Sequence, residues 1–468
     1  GVATGITMEF RFGMNWSYYS HYVGDIFGAP LAIEGLMAFF MEATFVGLMF
    51  FGWDKLSRVA HLIVTWLVAI GSNFSALWIL IANGWMQNPV GAEFNPITMR
   101  MEMTSFFEVV FNEVAQAKFV HTVSAGYVTA SIFVLGVSAW YMLKGVHFEL
   151  ARRSIAVAAA FGLASAFSVV ILGDESGYST SHNQKMKLAA MEAMWETQPA
   201  PAEFTLFGIP DQEARETKYA LHIPYAMGLI GTRSLTTEIP GINELEKQAE
   251  ERVRSGIVAY DALLKIREAR GDVTEEVKAT FEAHSKDLGF AFLLMRYVED
   301  PRQASEAQIV QAAEDTIPTV WPLFWSFRIM VALGFSFIAV LAYFFVVANF
   351  KGMQFPRWAL KMAVVIIPTP WIAAEMGWFT AEFGRQPWTV DGVLPTAMSV
   401  SHLSVADLLI TLAGFVIFYT VLFIIEMSLM LKYIRKGPYQ DVKETEDWQR
   451  KHEARLMSSG QPVTMPAE

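Results

Sequence analysis

Nine ionisable side chains lie within the long apolar stretches of this chain or at their ends, where a charge is costly. Ionisable groups at membrane depth usually face a site, a partner or a water-filled cavity rather than lipid. The alternative is that each residue lies at the membrane interface or forms half of an ion pair between two helices. The positions of these residues along the spans decide between the two interpretations. The set is Glu34, Glu42, His61, His121, Arg328, Glu375, Glu382, Asp407 and Glu426.

The string Glu382-Phe-Gly-Arg-Gln-Pro-Trp388 concentrates a carboxylate and a guanidinium at the end of a long apolar run. Pro387 cannot continue a helix, so the run must stop next to these charges. Glu375 lies one heptad before Glu382, on nearly the same helix face. Arg328 lies about ten residues into another span, on the order of 15 Å deep at 1.5 Å per residue. We therefore expect ionisable groups from separate helices to crowd into one half of the bilayer.

A histidine and a methionine together can supply the two axial ligands of a low-spin haem. His121 opens one apolar span, and Met330 lies two residues after Arg328 in another. The chain contains 24 methionines, most of which must simply fill apolar space, so this pairing is a weak signal on its own. Arg328 and Arg385 could neutralise the propionates of a buried haem.

Carboxylates and hydroxyls also follow one another along two successive spans. Glu34 and Glu42 are roughly 12 Å apart on one helix, and Asp54 follows at its end. Asn73 and Ser75 lie in the next helix. A proton relay needs such a ladder, because each group must pass a proton without leaving a fixed charge in a low dielectric. The alternative is that these groups only hydrogen-bond helices together, at roughly 1 kcal/mol each; we favour the relay.

Composition indicates a polytopic membrane protein. Of 468 residues, 53% are hydrophobic and only 17% are charged, against about a quarter charged in soluble domains. There are no cysteines, which excludes disulfides, cysteine-ligated metals and thiol catalysis from this chain. Segment 1–12 resembles the second half of a further apolar helix, so we expect the natural N-terminus to lie upstream. Runs of about 20 apolar residues predict seven complete spans, at 29–53, 60–84, 120–144, 154–173, 320–348, 359–381 and 404–431.

The distribution of lysine and arginine predicts the orientation. These residues concentrate in every second connection between spans, and such connections lie on the same side of the membrane. The positive-inside rule makes that side cytoplasmic. The other side carries the long stretch 174–319, which holds 25 acidic and 15 basic residues and therefore a net charge of −10. Its second half, about 241–297, has apolar residues at helical spacing, whereas we expect irregular structure at 173–178 and 195–202. The predicted fold class is an all-α polytopic membrane helix bundle with a large external loop domain.

Seven longer motifs occur in order along the chain: Asn15-Trp-Ser-Tyr-Tyr-Ser-His-Tyr-Val-Gly-Asp25, Ser72-Asn-Phe-Ser-Ala-Leu-Trp78, Asn83-Gly-Trp-Met-Gln-Asn88, Phe119-Val-His-Thr122, Gly173-Asp-Glu-Ser-Gly177, Phe327-Arg-Ile-Met330 and Gly384-Arg-Gln-Pro-Trp388. Together they closely resemble subunit I of the cytochrome bd-type ubiquinol oxidases, over essentially the whole chain. A single one of these motifs would be a weak signal, but several in order are a strong one.

The resemblance implies three haems: a low-spin haem b, a high-spin haem b and a haem d at which oxygen is reduced. It makes His121 and Met330 the axial ligands of the low-spin haem and Glu382 the ligand of the high-spin haem b. It also implies that Glu34 lies beside the oxygen-reducing haem. We also expect Arg328, Trp378 and Arg385 to contact a haem. Arg385 is in addition a predicted catalytic residue.

By the same resemblance, the proton route from the cytoplasm is lined by Glu42, Asp54 and Ser75. Lys187 and Glu192 match the family's quinol-site residues, with ubiquinol or menaquinol as substrate. We expect quinol to be oxidised at the external loop with release of its protons outside, while oxygen is reduced to water with protons from the cytoplasm. This arrangement generates membrane potential without proton pumping.

The resemblance also implies partners and a location. The expected partners are a second membrane subunit in a heterodimer, a small single-span subunit, quinol, oxygen and the lipid bilayer, with no nucleic acid. The expected location is the bacterial cytoplasmic (inner) membrane. The expected domains are N-terminal membrane helices at 1–173 with a truncated first span, an external quinol-binding loop at 174–319, C-terminal membrane helices at 320–436 and a cytoplasmic tail at 437–468.

One feature departs from the family pattern. The resemblance implies a haem-ligating histidine on the family's first span, and we expect that position to lie upstream of Gly1. Two other functions fit part of the sequence. A haem b membrane anchor would transfer electrons to or from quinone without reducing oxygen, but it needs paired histidines across helices. A proton-coupled transporter would use buried carboxylates, but such proteins often show inverted repeats and broken helices, which are approached here only at Pro368 and Pro370.

Overall fold

The computed structural model describes residues 2–350 and 354–438, and they are mostly helical. Seven helices among them are long and apolar enough to cross a membrane, which confirms the predicted all-α polytopic bundle and its number of spans. Apart from 437 and 438, the predicted cytoplasmic tail lies outside the described residues. The spans are Ser17–Phe51, Arg58–Gln87, Phe106–Lys144, Phe148–Asn183, Val320–Phe350, Arg357–Phe383 and Val405–Lys436.

The helices in chain order are α1 Val2–Met14, α2 Ser17–Ile33, α3 Phe40–Phe51, α4 Arg58–Gln87, α5 Phe106–Val110, α6 Glu113–Lys144, α7 Phe148–Asn183, α8 Lys185–Glu192, α9 Ile242–Glu268, α10 Glu275–His284, α11 Leu288–Leu294, α12 Glu306–Glu314, α13 Val320–Phe350, α14 Arg357–Val365, α15 Thr369–Phe383, α16 Thr396–Ser399 and α17 Val405–Lys436. Three antiparallel strand pairs join them: β1 Ala92–Asn95 with β2 Arg100–Met103, β3 Phe204–Asp211 with β4 Glu216–Ile223, and β5 Trp388–Val390 with β6 Leu394–Pro395.

Residues 173–178 are helical, so the expectation of irregular structure there is wrong. Helix α7 continues from the apolar span through this segment without a break. The hydroxyls of Ser176 and Thr180 donate to carbonyls one turn earlier, at 2.8 and 2.7 Å. Glycine lowers helix propensity by only about 1 kcal/mol, and Gly173 leaves room for the ring of His121 on α6. Residues 195–202 are irregular as expected, and α9 to α11 confirm the predicted helical half of the loop.

Three of the spans are not regular α-helices throughout. The third span is interrupted at 111–112, between α5 and α6. The first contains a π-helical turn over Glu34–Phe39, between α2 and α3. Such turns inside α-helices occur frequently at functional sites. The sixth span breaks at 366–368, where Pro368 precedes α15 and Pro370 lies in its first turn. Helix α15 is therefore a separate helix of 15 residues, with Glu382 in its last turn.

Four of the membrane helices form a closed ring. Helix α6 packs along α7, α7 along α13, α13 along α15, and α15 returns to α6. His121 lies on α6 and Met330 lies on α13, so the two residues belong to opposite helices of the ring. Buried apolar side chains such as Leu135 of α6 and Leu341 of α13 fill the part of the ring away from them.

The long connection 174–319, called the loop region below, rests on the segment that follows α15. Helices α9, α11 and α12 bury Val253, Phe290 and Leu293 together with Trp388 of β5. Gly289 approaches this segment so closely that a Cβ there would lie 2.3 Å from the carbonyl oxygen of Gly392. The string that ends at Trp388 therefore joins the membrane helices to the loop region.

Candidate functional site

Glu382, in the last turn of α15, is the centre of a polar network. Its Oε2 lies 2.6 Å from Nη2 of Arg385, in an ion pair. Its Oε1 accepts from Asn83 Nδ2 at 3.1 Å, from Gln87 Nε2 at 3.3 Å and from Lys118 Nζ at 3.3 Å. These last three donors come from α4 and α6. Two membrane helices therefore converge on this carboxylate, which is paired with a lysine as well as with the expected arginine.

Arg385 has buried donors that lack an acceptor. The residue is only 6% exposed, and neither Nε nor Nη1 has a hydrogen-bond partner among the described residues. A buried donor left unpaired costs about 1–3 kcal/mol, and more when it is charged. An anionic group at this position, such as a haem propionate, would satisfy both atoms.

Lys187, from α8 of the loop region, reaches into the same network. Its Nζ donates to the carbonyl of Ala381 at 2.9 Å and to the side-chain oxygens of Gln87 and Gln184, both at 3.2 Å. Burial, reinforced by nearby positive charges, lowers the pKa of Lys187 to about 7. The structure thus places a residue predicted for the quinol site beside Glu382.

Glu192, the last residue of α8, forms a buried ion pair with Arg328 of α13, with 2.8 Å between Oε2 and Nη2. Arg328 also donates from Nε to the carbonyl of Thr205 at 2.9 Å, and from Nη1 to the carbonyls of Met191 and Phe324 at 2.9 and 3.1 Å. Its Nη2 makes a second bond to Thr205, so all five N–H groups are used. These contacts fix the loop region to α13, and a role for Arg328 at a haem stays a prediction.

The second oxygen of Glu192 is available for another donor. Its Oε1 is buried and has no hydrogen-bond partner among the residues that the structure describes. Burial raises the pKa of Glu192 to about 7, although the guanidinium of Arg328 acts in the opposite direction. The site therefore offers one buried carboxylate oxygen that can accept a hydrogen bond from a hydroxyl group.

His121 has the tautomer that a metal ligand needs. Its Nδ1 lies 3.1 Å from the carbonyl oxygen of Val169. Because a carbonyl can only accept, Nδ1 carries the proton and Nε2 keeps its lone pair. A hydrogen bond of this kind commonly orients histidine ligands. On the opposite helix of the ring, Met330 packs its sulfur against Gly377 of α15, where a Cβ would lie only 2.8 Å away.

Ser75 and Glu34 meet between the first two spans. The Ser75 hydroxyl donates to Oε1 of Glu34 at 2.6 Å, at the start of the π-helical turn. Further along this helix pair, the backbone of Glu42 packs against Gly71 of α4. Asp54 is exposed in the turn that follows α3. Of the four predicted relay residues, Ser75 and Glu34 are therefore in direct contact. Glu42 and Asp54 lie further along the same pair of helices.

Sequence reasoning missed Lys118, Asn83 and Gln87. Lys118 precedes His121 by one helical turn and so lies on the same face of α6, which is the signal that the sequence contains. Asn83 and Gln87 show the same helical spacing on α4. The ammonium of Lys118 also lies 5.7 Å from the ring centre of Trp378, which places this predicted haem contact beside the network.

Seven apolar helices and a buried network of charged side chains between them define a multi-pass membrane protein with a polar site inside its helix bundle. Within that class, the chain belongs to the cytochrome bd terminal oxidase subunit I family, whose sequence profile matches residues 1–438. This membership confirms the resemblance that the seven motifs indicated. It also sets aside the membrane anchor and the transporter as alternatives.

Relatives and a solved structure agree with this assignment. The chain is 49% identical to cytochrome bd-II ubiquinol oxidase subunit 1 of Escherichia coli (strain K12), over 94% of this chain and 85% of the relative. It is 32% identical to cytochrome bd ubiquinol oxidase subunit 1 of Bacillus subtilis (strain 168), over 94% and 82%. The bd oxidase of Geobacillus thermodenitrificans shares the fold, with a TM-score of 0.69 at 24% identity over 94% of this chain and 84% of that one.

The family implies haem cofactors, and the residues present fit such a group. The lone pair on Nε2 of His121 suits a metal ligand. The unpaired Nε and Nη1 of Arg385 suit an anion beside Glu382. A haem carries a central iron, which a histidine nitrogen can ligate, and propionate groups, which an arginine can bind.

Proposed function

We propose that this chain is the subunit of a quinol oxidase that takes electrons from membrane quinol and passes them to oxygen, forming water. One observation carries the proposal: Lys187 of the loop region donates to the carbonyl of Ala381, the residue immediately before Glu382. The residue assigned to quinol and the residue assigned to a haem thus belong to one hydrogen-bonded unit. Family membership supports the reaction class.

Lys187 and Glu192 would hold the quinol, ubiquinol or menaquinol, at the loop region. The free Oε1 of Glu192 can accept from a quinol hydroxyl, and a carboxylate with a pKa of about 7 can take its proton near neutral pH. All three N–H groups of the Lys187 ammonium already donate, so a quinol oxygen would accept from Lys187 in place of one of these acceptors. Arg328 would hold Glu192 in position through their ion pair.

Three haems are proposed, a low-spin haem b, a high-spin haem b and a haem d, which when bound supply the one-electron carriers and the iron that reduces oxygen. His121 and Met330 would hold the low-spin haem b, and Glu382 would hold the high-spin haem b. Arg385 would donate from its unpaired Nε and Nη1 to a propionate, and Trp378 would contact the same haem.

Protons for oxygen reduction are proposed to come from the cytoplasm along α3 and α4. Asp54 would take them from water, and Glu42, Ser75 and Glu34 would pass them inward. The 2.6 Å hydrogen bond from Ser75 to Glu34 supports the inner end of this route. Because quinol protons leave on the loop side and the protons of water come from the opposite side, each turnover separates charge without a pumping step.

The chain is proposed to work in the bacterial inner membrane as a heterodimer with a second membrane subunit, with a small single-span subunit as a further partner. The loop region 174–319 would face the periplasm between two sets of membrane helices, 1–173 and 320–436. The charge distribution of the connections supports this orientation. Helix α17 buries none of its residues within this chain, which leaves its apolar surface for lipid or a partner.

The test is the visible spectrum of the purified full-length protein with its partner subunit, reduced and then exposed to carbon monoxide. A chlorin band that shifts with the gas would support the oxidase. Haem b bands alone would contradict oxygen reduction by this chain, and a spectrum with no haem bands would contradict the whole proposal.

A further inference from the structure

Lys187 is held between two glutamines, and each glutamine is bound to a carboxylate. On one side, Nζ donates to Gln87 Oε1 at 3.2 Å, and Gln87 Nε2 donates to Glu382 Oε1 at 3.3 Å. On the other side, Nζ donates to Gln184 Oε1 at 3.2 Å, and Gln184 Nε2 donates to Asp391 Oδ1 at 3.2 Å. The first arm ends on the proposed haem ligand. The second ends on Asp391, which lies outside the membrane spans and has no role in the function proposed so far.

The chemistry of the end groups fixes the direction of each amide. An ammonium can only donate, and an ionised carboxylate can only accept. A glutamine between them must therefore turn its oxygen to the lysine and its NH₂ group to the carboxylate. Without the charge of Asp391, the amide of Gln184 could flip and present its NH₂ group to Lys187, which would repel the ammonium.

We propose that Asp391 is a positioning residue for quinol binding, which acts through Gln184 to orient and stabilise the ammonium of Lys187. The inference rests on the proposed function of Lys187. Its geometric basis is that the described hydrogen bond of the Asp391 side chain goes to Gln184, between α7 and α8, and not to its own β-hairpin. The hairpin therefore contributes a carboxylate to the loop region.

The surroundings of Asp391 suit this role. Its backbone N–H donates to the carbonyl of Met86 at 2.9 Å, which ties the turn between β5 and β6 to the end of α4. Burial raises the pKa of Asp391 to about 6, and the charges of Lys187, Arg385 and Arg252 oppose that rise. These three cations face the carboxylate from α8, from the 382–388 string and from α9. Asp391 is therefore ionised above about pH 6. An ionised Asp391 is what the proposed orientation of the Gln184 amide requires.

The test uses the complete purified oxidase, assayed by oxygen consumption with ubiquinol-1 as the probe. Asp391→Asn keeps the size of the side chain and the backbone bond to Met86 but removes the charge. We expect the KM for ubiquinol-1 to rise at least about fivefold, with kcat and the haem spectrum unchanged. Asp300→Asn is the matched control, because Asp300 pairs with Arg302 at the surface of the loop region, and its KM should not change.

A double variant separates positioning of Lys187 from a structural role in the hairpin. Asp391→Asn combined with Gln184→Glu puts a carboxylate directly beside Lys187, and the new amide at position 391 can donate to it. The negative charge next to the ammonium is then restored although Asp391 is replaced. The KM should return toward the wild-type value, and failure to recover would overturn the proposal.

A third variant, Lys187→Met, distinguishes this inference from the proposed function. If it leaves the KM for ubiquinol-1 unchanged, the assignment of Lys187 to quinol fails, and the inference fails with it. If Lys187→Met raises the KM but Asp391→Asn does not, the proposed function stands and the inference alone is overturned. Loss of haem bands in Asp391→Asn would also overturn it, because a positioning role leaves the haems in place.

Discussion

Arg328 of a membrane helix and Glu192 of the loop region form an ion pair at 2.8 Å with both side chains almost fully buried. Removing one partner of a buried pair typically costs about 3–5 kcal/mol, and Arg328→Leu also removes the donors to the carbonyls of Met191 and Thr205. We therefore expect Arg328→Leu to lower the unfolding temperature of the purified oxidase and to expose the loop region to protease.

The matched control for this variant is Arg254→Leu. Arg254 pairs with Glu306 at the surface of the loop region, with both side chains substantially exposed. Exposed pairs contribute about 0–1 kcal/mol, so the unfolding temperature should change little. Equal losses of stability in the two variants would show that the buried pair does not fix the loop region.

The raised pKa of Glu192 predicts how stability depends on pH. Between its ordinary value of 4.5 and about 7, the folded protein keeps a proton that the unfolded chain has lost. The contribution of this residue to the free energy of unfolding is therefore complete below about pH 4.5 and is lost as the pH rises through about 7, on the order of 3 kcal/mol in all. Glu192→Gln should flatten this part of the pH profile in thermal unfolding scans. A wild-type slope in the variant would show that Glu192 does not titrate in this range.

Ser75→Ala removes the hydroxyl that donates to Glu34. If this pair passes protons, kcat for oxygen reduction should fall at least about fivefold, since proton transfer by a positioned group contributes strongly to rate. The KM for quinol should stay the same, because the loop region is not altered. Oxygen consumption at saturating quinol measures the effect, with Ser72→Ala on the exposed face of α4 as the control. An unchanged kcat would remove Ser75 from the route.

Met330→Leu replaces a thioether by a side chain of similar size that cannot ligate iron. We expect the bands of the low-spin haem to change while those of the other haems remain, because axial ligands set the properties of a haem. Met362→Leu in α14 is the control for a methionine that packs in the apolar part of the bundle. A reduced spectrum identical to wild type would mean that the axial assignment is wrong.

The sequence was sufficient for the spans but not for the loop region. A span is recognised from the length and polarity of one continuous segment, so all seven were found without knowledge of packing. The helical continuation of α7 through 173–178 was missed, because two glycines and several polar residues suggested a break that contact with α6 overrides. The β-hairpins were also missed, since each has strands of eight residues or fewer.

By itself, the sequence determined that this is a seven-span membrane protein whose Glu382 lies at a helix end beside Arg385, because both properties follow from neighbouring residues. Only the tertiary structure decided what surrounds that carboxylate. Arg328 and Glu192 are 136 positions apart, and Gln184 and Asp391 are 207 positions apart. Contacts at such separations depend on how whole helices pack, and no local pattern of residue types encodes which buried donor meets which acceptor.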